Sequence, residues 1–127
     1  MSKVYVIQDQ LRKDKTSGKL VSKFDLKDAE RYGTIEFLLG PGARPFSPEH
    51  VIAQLERKLK SYTPEDWLLL IGNPCLIGFA VAVASVVARG RVRLLQWDGM
   101  AGEYRPIHAK LPTELSDEDL EILAAGR

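Results

Sequence analysis

Cysteine is nearly missing from this chain of 127 residues. Cys75 stands alone, so no disulfide can form within the chain. That suits a reducing cytoplasm. Histidine is almost as scarce. His50 and His108 are the only two, and they form no ligand-spaced cluster, so no zinc site is expected. No other metal and no cofactor are expected either. Net charge is close to absent, +1 from 18 basic and 17 acidic residues. A chain so balanced does not, as a whole, advertise a polyanionic partner. There is no GxGxxG, no GxxxxGK[ST] and no GxSxG elbow, which removes the usual signatures of dinucleotide, P-loop and α/β-hydrolase chemistry. Internal repeats and low-complexity tracts are also missing. The chain opens on strand-like KVYVIQ rather than a basic segment followed by an apolar one, so no signal peptide is expected.

Apolar residues are plentiful at one place. Residues 66–98 read DWLLLIGNPCLIGFAVAVASVVARGRVRLLQWD, the pattern of a strand, a helix and a second strand. The helix is apolar on nearly every side, so it is expected to be sandwiched by protein. About 20 apolar residues cross a bilayer. Here Gly72-Asn73-Pro74 interrupts the run and would stop a helix, and the part after Pro74 is too short to span. A membrane span is therefore not expected.

The remaining elements follow from periodicity and breakers. Residues 3–8 form a strand, and 11–23 a hairpin with its tip at Lys13-Asp14-Lys15-Thr16-Ser17-Gly18. Leu20, Val21 and Phe24 belong to the returning strand. Residues 25–32 fit one or two helical turns ended by Gly33. Residues 34–39 are a strand, followed by a loop rich in Gly and Pro at 40–45. Ser47-Pro48-Glu49 opens a helix in which Val51, Ile52, Leu55 and Leu59 recur at helical spacing. Trp67 begins a short apolar strand, Asn73 caps the second helix, and 92–97 and 104–111 are the last two strands. Ser116 caps a short acidic helix at 117–124.

Strands alternating with helices predict an α/β domain. We expect one domain at residues 1–112, with a mixed sheet, a parallel βαβαβ core, two main helices, an N-terminal β-hairpin and an antiparallel C-terminal edge strand. Residues 113–127 form an acidic C-terminal tail or short helix.

Two regions are candidate sites. The first is the turn Gly72-Asn73-Pro74, joined by Arg44 of the 40–45 loop. Both leave a strand and enter a helix, where backbone N–H groups attract a phosphate or nucleotide. Asn73 as a simple cap accounts for the same turn, and Pro74 deletes one donor. The second is the basic hairpin, where Arg12, Lys13, Lys15 and Lys19 suit nucleic-acid phosphates. Asp9 and Asp14 dilute that patch, and no aromatic alternates with the lysines.

Cys75 opens a helix, which favours a thiolate. Neither histidine is near it in sequence to act as a base, so a buried structural thiol is expected. Trp67, Trp97, Tyr104 and Phe79 are expected in the core or in an interface. Asp66 precedes its strand and Asp98 follows its own, so in parallel strands they lie at opposite ends and form no acid–base pair.

The run KVYVIQ…KFDL…AERYG…LLLIGNP…GRVRLLQWD with its terminal pairing strand resembles a group of small, function-unassigned α/β proteins of tailed phages and prophages. The resemblance covers most of the chain. It implies a phage-type setting in a host cell cytoplasm and transfers no catalytic residue. With no catalytic set assembled, the expected function is a non-enzymatic binding protein working through protein–protein contacts. Self-association and β-augmentation at exposed strand edges are the expected modes. A nucleotide- or phosphate-binding module is the alternative, and nucleic-acid binding the third.

Overall fold

The computed structural model describes residues 2–126. Seven strands and three α-helices are present among them. They are β1 (Lys3–Gln8), β2 (Leu11–Lys13), β3 (Leu20–Ser22), β4 (Thr34–Leu39), α1 (Pro48–Leu59), β5 (Trp67–Leu69), α2 (Pro74–Val87), β6 (Arg91–Asp98), β7 (Glu103–Lys110) and α3 (Asp117–Ala125). A 3-10 helix at Lys27–Tyr32 precedes β4. The α/β class and the mixed sheet are as expected.

Five strands form one sheet in the order β4-β1-β5-β6-β7. The first four run parallel, and β7 returns antiparallel along the whole of β6. β2 and β3 form a separate antiparallel hairpin, which ends before Phe24. The central position of β1 matters most. VYVI is a continuous apolar run, the mark of a strand covered on both faces. Val4 and Val6 face one side, Tyr5 and Ile7 the other, and all four are buried.

The two faces are covered differently. On one, α1 presents Val51, Leu55 and Leu59, and α2 presents Leu76, Ala80 and Ala84, against Tyr5, Ile7, Leu38 and Leu68. Each fully buried leucine there contributes roughly 2 kcal/mol by leaving water. On the other face the short 3-10 helix lies over Val4, Val6, Trp67 and Leu95 through Ala29. Polar ties fasten that lid. Asp28 Oδ2 accepts from the Tyr104 backbone N–H at 2.9 Å, and Tyr104 Oη donates to the Asp25 carbonyl at 3.2 Å. Arg93 lays its guanidinium 3.9 Å from the centre of the Trp67 ring.

Two expectations are corrected. α2 is backed by the sheet and flanked by α1, but its outward side stays open: Val86 is 79% exposed. An apolar helix reads as buried all round, whereas a sheet and one neighbouring helix cover only part of its circumference. Cys75 is exposed, because the second residue of α2 falls on that open side. Of the four aromatics expected in the core or in an interface, Trp97 lies outside the core. It is 52% exposed near the tip of the β6–β7 hairpin, packed edge-on against Tyr104.

Candidate functional site

The sheet strands, counted in chain order, lie 2-1-3-4-5, so the order reverses beside β1. In open α/β sheets the crevice at the carboxyl ends of such strands is the usual ligand position. Here it is filled by the protein itself. Gln8 ends β1 and is 4% exposed. Its Nε2 donates to the Ala43 carbonyl at 3.0 Å and to the Gly40 carbonyl at 3.3 Å. Its Oε1 accepts from the Asn73 N–H at 2.9 Å. One amide thus ties β1 to both loops that sequence reasoning singled out.

Gly72 makes this contact possible. Its φ is +137°, and a Cβ added there would stand 2.7 Å from Gln8 Cβ. At the start of α2, Asn73 Oδ1 accepts from the Cys75 N–H at 2.9 Å, and Pro74 has no N–H to give. Most donors that would hold an anion already have partners. Arg44 is exposed in the same loop as Ala43 and makes no ion pair among the described residues. Gln8 is the residue sequence reasoning missed. Its only signal was a lone polar side chain closing an apolar strand.

The basic hairpin places Arg12, Lys13, Lys15 and Lys19 on exposed positions. An acid sits among them. Asp14 accepts from Ser17 Oγ at 2.7 Å and from the N–H groups of Ser17 and Thr16. The Ser17 hydroxyl first, then those backbone donors, hold its carboxyl below the usual range. The tip therefore keeps a negative charge inside its positive rim.

No group of three or more His, Cys, Asp and Glu among the described residues is placed to hold a metal ion. Asp66 and Asp98 lie at opposite ends of the sheet. Asp66 is buried in a structural role, accepting from the N–H groups of Lys3 and Thr63, each at 2.9 Å.

Both sheet edges are occupied or blunted. On β4, Gln54 of α1 donates to the Leu38 carbonyl at 3.2 Å. β7 carries Arg105, Pro106, His108 and Lys110, and a proline and cations discourage an added strand. The outer side of α2 is unpartnered among the described residues. Its fourteen residues contain no charged side chain. Gly78, Ala82 and Val86 form its exposed ridge at a spacing of four. One groove beside the ridge, about 430 Å³, is walled by Ile52, Phe79 and Val83. Another, about 850 Å³, is walled by Leu111 and Pro112.

The family model for phage Pam3 gp32-like protein matches residues 2–111, the whole sheet with α1 and α2. The chain belongs to this family. Membership in the phage Pam3 gp32-like family agrees with the resemblance read from the sequence. No curated protein and no solved structure matches the chain. Among the described residues, no helix of this phage-family protein is long and apolar enough to cross a membrane.

Proposed function

We propose that this phage-family protein is a non-enzymatic binding protein in the host cytoplasm, working through protein–protein contacts that include self-association. The observation that carries this reading is the outer side of α2, which carries no charged side chain and is covered by none of the other described residues. An exposed apolar helix face marks a partner surface. The tied sheet edges move the expected mode from strand addition to helix contact. Light scattering on the eluting protein tests it: the wild type runs as a dimer or larger, and Val86→Asp runs as a monomer. A monomeric wild type sinks the self-association part.

Anion binding stands second. Arg44, exposed and without an ion pair among the described residues, supports it from the loop that Gln8 ties to Asn73, while Gln8 weighs against it. Inorganic phosphate at a hundred times its Kd would add about 2.7 kcal/mol of stability, so an unchanged melting temperature at high phosphate removes this reading. Nucleic-acid binding through Arg12, Lys13, Lys15 and Lys19 stands third and predicts affinity that falls steeply with salt.

A further inference from the structure

We propose that the occupant of the open α2 side is α3 of a second copy, so that two copies exchange their C-terminal helices. This rests on the self-association reading and names the segment that does the docking.

α3 is well formed but unsupported. Ser116 Oγ accepts from the Asp119 N–H, and the Asp119 carboxylate accepts from the Ser116 N–H, both at 3.0 Å. Yet none of its residues is buried, and Leu120, Ile122 and Leu123 are 49, 62 and 59% exposed. Nine residues are too few for an isolated helix to hold in water. Leu120, Leu123 and Ala124 share one face at helical spacing, and Asp117, Glu118 and Glu121 share another. The element has a stripe that needs covering and an acidic flank.

The larger α2 groove offers the complement. Gly78 and Ala82 are small, so another helix can approach closely, and Val86, Leu111 and Pro112 supply apolar walls. Arg89 stands at one end, with Lys110 beside it donating its Nζ to the Arg89 carbonyl. Both cations are exposed, and neither they nor Asp117, Glu118 and Glu121 make an ion pair among the described residues. Two uncovered apolar surfaces with opposite charges at their margins are complementary in both terms. Arg89 also holds a φ of +54°, a conformation that costs a non-glycine residue energy. A cation is kept where glycine would fit better.

Chain reach favours a second copy over the chain's own groove. Thr113 lines the groove, and only Glu114 and Leu115 separate it from the Ser116 cap, about 10 Å at full extension. The chain's own α3 does not lie in the groove, for none of its residues is buried or lines it. A helix leaving straight meets a neighbour. The tail departs beside the groove, and a reciprocal exchange of tails between two copies is a closed twofold arrangement, as expected of a dimer.

Complementation of two full-length variants tests the exchange. The tail variant is L120D/L123D and the groove variant is V86D. All three positions are exposed, and circular dichroism checks that both variants fold. Sedimentation equilibrium should show each weakened at least tenfold in self-association, and their equimolar mixture forming a hetero-dimer, which retains one intact helix–groove contact. A mixture that stays monomeric overturns the exchange. So does a tail variant that dimerises like the wild type while V86D does not; that result leaves the α2 surface standing. A monomeric wild type overturns both. A dimer untouched by V86D overturns the α2 surface and the exchange together.

Discussion

The two sides of α2's world differ in one respect that decides how this protein is read. At its N-terminal end the helix meets a crevice that topology marks for a ligand, and there the chain has satisfied its own polar groups. Along its outer side no such marker exists, and there the chain leaves apolar surface in water. The first region has the right location with its donors taken. The second has the wrong location for a small-molecule site and unmet surface free energy. Location in a fold is a prior; unmet hydrogen bonds and unburied apolar area are what bind.

Substitutions at the crevice should cost folding stability. Gly72→Ala has the largest expected effect, about 3 kcal/mol in urea unfolding. It combines a backbone conformation that only glycine adopts cheaply with a Cβ driven into Gln8. Gln8→Ala comes next, about 2 kcal/mol, because the Gly40 and Ala43 carbonyls and the Asn73 N–H lose their shared partner. If it costs nothing, water can enter the crevice freely and the contrast between the regions fails.

Substitutions on the outer side should do the reverse. Ala82→Glu should change unfolding free energy by no more than about 0.5 kcal/mol while weakening self-association by about tenfold, read by sedimentation. Arg89→Gly should stabilise the fold by about 1 kcal/mol through relief of its left-handed backbone, yet weaken association through the lost charge.

The smallest effect concerns the β6–β7 turn. The Ala101 backbone N–H, then the Arg105 side chain, hold the Asp98 carboxyl below the usual range. A depressed folded pKa gives stability that is present above the unfolded value, near 3.9, and lost as pH falls through the folded one. Asp98→Asn should therefore lose that small contribution at neutral pH and flatten the stability profile below about pH 4, as read by urea unfolding across pH.

Much of this architecture was legible. Helical spacing in Val51, Leu55 and Leu59 placed α1, and Gly-Asn-Pro placed the start of α2, because both signals are local. Strand order was not. That β4 and β5 flank β1 depends on pairings across the chain, which no window of residues contains. The Gln8 tie was hidden for the same reason: its partners lie 32 to 65 residues away. Arg44, Gly72 and Asn73 were placed at one end of the sheet from strand-to-helix order alone, but what already occupied their backbone groups was invisible. The exposure of Val86 and Cys75 was misjudged because an apolar helix carries no mark saying which side lacks a neighbour.

Gln54 on one border of the sheet, and Pro106 on the other, have a further effect. Strand-to-strand stacking has no natural stopping point, and a chain with open sheet borders risks growing into fibres. With both borders obstructed, growth by that route is discouraged at the first molecule.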